Sequence, residues 1–195
     1  MSSQSTAADT SGGRKIESVW DFPRPAKLEP ISDEIRVVFN GVEVARTTQG
    51  HRIIETSHPP SYYIPLEDVR EEFLVEIPRK SSFCEWKGVA KYYDLVVGDK
   101  TSRAAAWRYA TPNQRVVQNQ PHGWGNYGSG AATGLGGTFG PIANSISFYA
   151  SKVDEAYVAG ERVIPQPGDF YGGWITSWID GEKRGFKGGP GTSGW

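Results

Sequence analysis

Glu55 and His58 are the first residues of the chain whose types and spacing could do acid–base chemistry. They stand three positions apart and directly precede two prolines, Pro59 and Pro60. Proline fixes φ near about −65° and keeps the preceding residue extended, so both side chains project from a rigid segment. A carboxylate and an imidazole held in this way can act as a base and the group that orients it. The alternative is that His58 only hydrogen-bonds the backbone of a turn.

The second candidate group surrounds Cys84, the single cysteine of the chain. A lone cysteine is usually a small buried hydrophobe, but nearby cations can lower a thiol pKa and expose a reactive thiolate. Lys87 is such a cation, and pairing of Cys84 with His58 or His51 would indicate nucleophilic catalysis. Trp86 offers a stacking face beside the Lys87 ammonium. The group predicts either a ligand contact or ordinary packing.

Two segments near the C-terminus combine rings, glycines and a positive charge. Phe170 to Trp174 places rings around two glycines, where a backbone can approach a planar ligand closely. Phe186 to Thr192 is a basic, glycine-rich turn whose backbone N–H groups can bind an anion. We therefore take Tyr171, Trp174 and Lys187 as ligand-binding candidates. The alternative is a terminal arm that is locked onto a sheet by its aromatic side chains.

Paired carboxylates among aromatic platforms are typical of a different enzyme class, the glycoside hydrolases. Their chemistry needs two carboxyl groups roughly 5–9.5 Å apart, with rings beneath the sugar. Glu55 and Asp154 are the candidate catalytic carboxylates, with Asp94 as a further carboxylate. The remaining ring candidates for a ligand site are Tyr62, Tyr92 and Trp107.

Composition excludes several functional classes. The 21 Lys and Arg residues against 22 Asp and Glu give a net charge of −1, so no global field attracts nucleic acid or anionic lipid. No apolar stretch approaches the roughly 18 residues of a membrane span. The single cysteine and the spacing of the three histidines match no standard zinc motif. We predict a soluble cytoplasmic protein with no metal, no cofactor, no nucleic-acid partner and no membrane contact.

Glycine-rich stretches do not change this interpretation. Residues 123–128 match the G-x-G-x-x-G pattern of dinucleotide sites, but neither a strand before it nor a helix after it is predicted. The wider stretch of residues 123–140 carries eight glycines in eighteen positions, which is typical of a long flexible loop. A phosphate-binding P-loop motif is absent from the sequence.

The elements that must position these side chains are mainly strands. Asn40-Gly41 is the favoured pair for a two-residue hairpin turn, and it would set Phe39 against Val42 and Val37 against Val44. Further hairpins are predicted at Gly98-Asp99 and at Gly160-Glu161, with short strands over residues 52–56 and 62–64. Residues 65–73 predict two turns of helix.

Many short strands between glycine and proline turns predict a mainly β fold of compact antiparallel sheets with little helix. We expect a disordered leader over residues 1–19, without a secretory signal. A single β-rich domain then spans residues 20–195, with a glycine-rich inserted loop at about 113–141.

From Trp20 onwards the chain resembles the family catalogued as domain of unknown function 427, in which a β-tent-like fold is expected. The resemblance rests on ordered blocks: Glu55-Thr56-Ser57-His58-Pro59-Pro60, Cys84-Glu85-Trp86-Lys87-Gly88, Ala105-Ala106-Trp107, Phe148-Tyr149-Ala150, Pro165-Gln166-Pro167-Gly168 and Phe170-Tyr171-Gly172-Gly173-Trp174. A nucleotidyltransferase-like label attached to this family implies metal-held carboxylates. The nearest pair here, Asp154-Glu155, would point to opposite faces of a strand.

Three functions follow from these patterns. The first is a hydrolase or transferase acting on a sugar- or nucleotide-like molecule in an aromatic-lined pocket, with glycoside hydrolysis as one variant. Its acid or base would be Glu55 or Asp154, with His58 as orienter and Lys87 or Lys187 as anion contact. The second is a non-catalytic ligand-binding or stabilising module, and the third is a scaffold that docks a partner through its glycine-rich loop.

The enzyme hypothesis makes one strict demand on the fold. Glu55, His58, Lys87 and Trp174 must share one cleft, because groups that do not meet cannot act on one ligand.

Overall fold

The computed structural model describes residues 13–112, 139–168, 170–190 and Thr192. These residues form fifteen strands and five short 3-10 helices. The strands are β1 (Glu17–Ser18), β2 (Lys27–Pro30), β3 (Ile35–Phe39), β4 (Val42–Thr47), β5 (His51–Glu55), β6 (His58–Pro65), β7 (Leu74–Cys84), β8 (Gly88–Val97), β9 (Lys100–Arg108), β10 (Ser145–Phe148), β11 (Glu155–Val158), β12 (Glu161–Arg162), β13 (Ile164–Pro165), β14 (Trp174–Ile175) and β15 (Ile179–Asp180). The 3-10 helices are Leu66–Asp68, Glu71–Phe73, Gly140–Asn144, Ala150–Lys152 and Glu182–Arg184.

The strands are organised around one large antiparallel sheet of seven strands in the order β2-β5-β6-β10-β9-β8-β7. A four-stranded antiparallel sheet has the order β12-β11-β3-β4. Two small sheets complete the described part, β13 antiparallel to β14 and β1 parallel to β15. The predicted mainly β, antiparallel class is confirmed. Within the residues that the structure describes, no helix has the length and apolar character needed to cross a membrane.

The hairpin between β3 and β4 turns at Asn40-Gly41, as predicted. Both residues have positive φ, +50° and +71°, and Phe39 lies opposite Val42. The predicted pairing of Val37 with Val44 is wrong, because the register shifts and Val37 pairs with Ala45 instead. A β-bulge of this kind adds one residue to a strand, which is why Val44 and Ala45 are both buried.

The other predicted local elements are close to the observed ones. The β8–β9 hairpin turns at Gly98-Asp99, with Val97 opposite Lys100, as predicted. The β11–β12 turn lies one residue earlier than predicted, at Ala159-Gly160, because Val158 pairs with Glu161 and both turn residues take positive φ. The helix predicted over residues 65–73 is divided into two 3-10 turns, and Val69 between them bridges to Ala45.

The first described strand, β1, lies within the predicted leader of residues 1–19. Residues 1–12 of the predicted leader lie outside the described residues. Glu17 and Ser18, however, pair with β15, and Val19 is fully buried. Of the predicted glycine-rich insertion, residues 113–138 also lie outside the described residues, and Gly140 opens a 3-10 helix.

The seven-stranded sheet buries apolar side chains on both of its faces. One hydrophobic cluster includes Tyr62 and Ile64 of β6 together with Val37 and Phe39 of β3, so this face packs toward the four-stranded sheet. A second cluster includes Tyr63 of β6, and it is joined by the side chains Ile53, Tyr92, Trp107, Tyr109 and Tyr149. Since neighbouring residues on a strand point to opposite faces, Tyr62 and Tyr63 belong to different clusters.

Trp174 provides a test of the first cluster. Its side chain is fully buried, and its indole Nε1 donates to the Phe148 carbonyl at 2.9 Å. We expect Trp174→Ala to lower the free energy of unfolding by about 3–5 kcal/mol through loss of packing. Phe170→Ala, at a ring that is 66% exposed, is the control and should change it by less than about 0.5 kcal/mol. Urea denaturation measures both, and equal effects would contradict this assignment of the core.

Candidate functional site

A cavity of about 460 Å³ opens on the second face of the seven-stranded sheet. Its floor comes from side chains of β5, β6, β8 and β9, and one wall comes from the turn between β7 and β8. The opposite wall comes from residues 166–168 and 170–190, here called the C-terminal arm. The cavity therefore lies where three parts of the chain that are distant in sequence meet.

Glu55 and His58 enter the cavity as a cross-strand pair. Glu55 ends β5, His58 begins β6, and their Cα atoms lie opposite each other. The two-residue turn between them needs a positive φ, +69° at Ser57. Both side chains line the cavity, so the turn brings the carboxylate and the imidazole to the same edge of the site.

Cys84, Trp86 and Lys87 lie at the turn that joins β7 to β8, and all three line the cavity. The Trp86 indole Nε1 donates to the Glu55 carboxylate at 3.1 Å. The Cys84 thiol is among the groups that act on the Lys87 ammonium, and Lys87 Nζ lies 5.7 Å from the centre of the Tyr109 ring. The turn and the Glu55–His58 pair thus form one continuous polar wall.

Aromatic side chains form the floor. Tyr92 and Trp107 line it as predicted candidates, and Tyr63 of β6 lines it as well. The Trp107 indole Nε1 donates to the Tyr63 hydroxyl at 3.3 Å, and its ring centre lies 4.4 Å from that of Tyr149. Tyr63, Trp107, Tyr109 and Tyr149 are therefore linked by ring contacts across the floor.

The C-terminal arm closes the cavity with Tyr171 and Lys187. The Tyr171 and His58 rings meet in a T-shaped arrangement with 4.7 Å between their centres, and Lys187 Nζ lies 5.3 Å from the Tyr171 ring centre. Gly172 between them allows close approach, because a Cβ there would stand 2.1 Å from Cη2 of Trp107. The arm is tied to the sheet by the Lys187 backbone N–H, which donates to the Ser57 carbonyl at 2.9 Å.

Three predicted site residues lie away from the cavity. Tyr62 and Trp174 belong to the other hydrophobic cluster, where their ring centres lie 5.3 Å apart. Asp154 lies beside the four-stranded sheet, where it accepts from Lys100 Nζ at 2.5 Å and from the Asn40 N–H at 2.6 Å. The strict demand of the enzyme hypothesis is met by Glu55, His58 and Lys87 but not by Trp174.

Other cavity residues were not among the sequence candidates. Tyr63 was missed because the run Tyr62-Tyr63-Ile64 is apolar throughout, so no alternation of polar and apolar residues indicates which face Tyr63 occupies. Gln166 carries no chemical signal in a proline-rich stretch. Further lining residues that were not candidates include Ser82, Phe83, Tyr109 and Tyr149.

The charges around the cavity are unevenly paired. Burial, together with the positive charges of Lys187, Lys87 and Arg24, lowers the pKa of His58 to about 3, so the imidazole is neutral at neutral pH. Burial acts against the charge of Lys87, but Tyr63, Cys84 and Glu55 outweigh it and raise the pKa. In the described ranges, neither Lys87 nor Lys187 has a carboxylate within salt-bridge distance.

The donor set does not fit a metal centre. Among residues 13–112, 139–168, 170–190 and 192, no group of three or more His, Cys, Asp or Glu side chains could hold an ion. The cavity's carboxylates, Glu55 and Glu85, are separately engaged, one by Trp86 and the other by Arg24 at 3.7 Å. No reaction step is therefore assigned to a bound metal.

A comparison with known protein families finds a match to part of the chain. Residues 27–122 match a family described as a domain of unknown function (DUF427). This range is just under half of the chain, and it is similar to that family. The matched range includes Glu55, His58, Cys84 and Lys87, whereas the C-terminal arm lies beyond it. No curated protein matches the sequence.

Gly172 tests the contact between the arm and the ring floor. We expect Gly172→Ala to lower the free energy of unfolding by about 1–3 kcal/mol, because the new methyl group would overlap Trp107. Gly140→Ala is the matched control, since a Cβ there meets no heavy atom within 4 Å. Urea denaturation of both variants measures the difference. A Gly172→Ala variant as stable as the control would contradict the close contact.

His58 predicts an acid-dependent loss of stability. An unfolded histidine titrates near pH 6.5, whereas the folded one stays neutral down to about pH 3. The unfolded state therefore binds more protons between these limits, and stability falls as pH drops below 6.5. At pH 5 this amounts to about 2 kcal/mol.

We expect this acid-induced loss to shrink by about that amount in His58→Gln. Urea denaturation at pH 7 and pH 5, for the wild type and the variant, provides the comparison. If both proteins lose the same free energy between the two pH values, His58 is not the depressed group.

Proposed function

We propose that the cavity binds an anionic small molecule of the sugar-phosphate or nucleotide class. The observation that carries this proposal is the pair of partly buried ammonium groups, Lys87 and Lys187, which lack a carboxylate partner in the described part of the chain. A charge removed from water is unfavourable unless an opposite charge compensates it. A ligand anion provides that compensation.

The neighbours of the two lysines support an anion rather than a second cation. Lys87 is surrounded by the Tyr109 ring and the Cys84 thiol, and Lys187 faces the Tyr171 ring. Ring faces attract a cation but leave its hydrogen-bond donors unfilled. Phosphate oxygens accept from such donors in charge-assisted hydrogen bonds.

The walls fit the rest of such a ligand. The cavity volume of about 460 Å³ lies within the roughly 300–1,000 Å³ typical of small-molecule sites. Phe83 of β7 and Phe170 of the C-terminal arm line the cavity while 58% and 66% exposed. Exposed rings at a site can stack on a sugar face or a base.

Binding is proposed ahead of hydrolysis because the carboxylate pair is not assembled. Asp154 lies beside the four-stranded sheet, so the predicted pair of Glu55 and Asp154 is not formed, and the other cavity carboxylate, Glu85, lies 3.7 Å from the Arg24 guanidinium. Trp174, which the enzyme hypothesis also needs, lies in the core. Turnover of the ligand and the cytoplasmic location stay predictions from the sequence.

Binding of matched ligand pairs tests the proposal. We expect the wild type to bind AMP more tightly than adenosine, or glucose 6-phosphate more tightly than glucose, as measured by isothermal titration calorimetry. Lys87→Met should weaken binding of the phosphorylated member about 10- to 100-fold, since a hydrogen bond to a charged group contributes about 1.5–3 kcal/mol. Lys187→Met should act in the same direction.

The control is Lys91→Met, at an exposed lysine that pairs with Glu76 on the β7–β8 hairpin. This variant should bind within threefold of the wild type. The proposal is wrong if phosphorylated and neutral probes bind alike, if neither binds, or if Lys87→Met behaves as the control does. Release of phosphate or free base during the titration would instead support the enzyme hypothesis.

A further inference from the structure

Gln166 is a buried amide that joins the C-terminal arm to His58. Its side chain lies in the cavity wall and is only 4% exposed. Three groups surround it: the Gly173 backbone N–H, the Lys187 carbonyl and the imidazole Nδ1 of His58. These three neighbours determine which amide atom donates a hydrogen bond and which accepts one.

The two backbone groups fix the orientation of the amide. The Gly173 N–H can only donate, and it lies 3.0 Å from Gln166 Oε1. The Lys187 carbonyl can only accept, and it lies 2.6 Å from Nε2. A flipped amide would place two acceptors together at Lys187 and two donors together at Gly173, so the flip is excluded.

The orientation of the amide in turn fixes the imidazole tautomer. Gln166 Nε2 carries two hydrogens, of which one serves the Lys187 carbonyl and the other faces His58 Nδ1 at 3.4 Å. Nδ1 must then be the unprotonated acceptor, and a neutral imidazole carries its single proton on Nε2.

The Nε2–H of His58 has no protein acceptor among the residues described. His58 lines the cavity, and its ring meets the Tyr171 ring in a T-shaped arrangement. The ammonium groups of Lys87 and Lys187, whose charges act on the imidazole, have only hydrogen-bond donors and cannot accept from this N–H. With no described nitrogen or oxygen atom accepting from it, this N–H is available to a ligand in the cavity.

We infer that Gln166 is a positioning residue that holds His58 as an Nε2–H hydrogen-bond donor to an oxygen acceptor of the ligand. The ligand contact rests on the proposed function, whereas the tautomer does not. This role differs from the orienter of Glu55 that the sequence suggested. A neutral imidazole beside two ammonium groups can donate to a phosphate oxygen through its Nε2–H without first becoming an imidazolium.

The low pKa of His58 agrees with this assignment. Burial and the positive charges of Lys187, Lys87 and Arg24 disfavour the imidazolium, so the ring stays neutral. Glu55 lines the same cavity, but its carboxylate is engaged by the Trp86 indole.

Nitrogen NMR of the imidazole tests the tautomer directly. We expect a ¹⁵N–¹H long-range correlation spectrum of the wild type at pH 7 to show His58 as the pure Nε2–H form. The chain has only three histidines, and His58→Gln identifies the signal by its loss. A wild-type spectrum showing the Nδ1–H form or the imidazolium would falsify the inference, whatever the variants do.

Substitution of Gln166 tests its positioning role. In Gln166→Met, which removes the donor, both tautomers should become populated. Gln166→Glu replaces the donor by an acceptor, so the Nδ1–H form or the imidazolium should dominate. A spectrum unchanged in both folded variants would overturn the role of Gln166. If neither variant folds, the wild-type spectrum decides the tautomer.

The ligand contact is measured separately with AMP and glucose 6-phosphate. We expect His58→Phe to weaken binding of the phosphorylated probe about 10- to 100-fold. His51→Phe, a control at a histidine outside the cavity lining, should stay within threefold of the wild type. Unchanged binding in His58→Phe would overturn the donor role. If neither probe binds the wild type, the proposed function fails while the tautomer is still decided.

Discussion

The two-sided burial of the seven-stranded sheet is the constraint on which the rest of the structure depends. Side chains alternate between the faces of a strand, so the neighbouring Tyr62 and Tyr63 of β6 belong one to the core and the other to the cavity face. The core face is sealed by the four-stranded sheet, and its side chains are fixed by packing. The other face has no second sheet among the described residues, and its rings are covered by the β7–β8 turn and the C-terminal arm. The cavity is the space that these two irregular covers leave.

This constraint explains which parts of the fold could be predicted. Turns are encoded locally, and Asn40-Gly41 and Gly98-Asp99 were readable because few residues adopt the backbone that they need. The β-bulge that pairs Val37 with Ala45 instead of Val44 could not be predicted, since it depends on how Val44 and Ala45 both reach the core. Local chemistry predicts a turn better than it predicts a register.

The candidate site divides in the same way. Glu55 and His58, and the group at Cys84, are short-range clusters, so their convergence on one wall follows from two turns. Tyr62 and Trp174 were misplaced because a strand buried on both faces shows no polar alternation, and nothing in the sequence assigns a ring to one face. Asp154 was paired with Glu55 by residue type alone, although Glu55 ends β5 of the seven-stranded sheet and Asp154 precedes β11 of the four-stranded sheet.

Gln166 shows why the remaining part of the site is invisible in sequence. An isolated glutamine has no signature, and its function arises only when the C-terminal arm folds back over the sheet. The amide first satisfies two backbone groups of the arm, and only the orientation that satisfies both leaves a hydrogen for His58. The matched range ends at residue 122, before this arm. It therefore contains His58, which supplies the imidazole, but not Gln166, which sets the tautomer. Two of these hydrogen bonds lie within the arm and the third reaches His58, so the fold of the arm and the orientation of the imidazole are linked through one side chain.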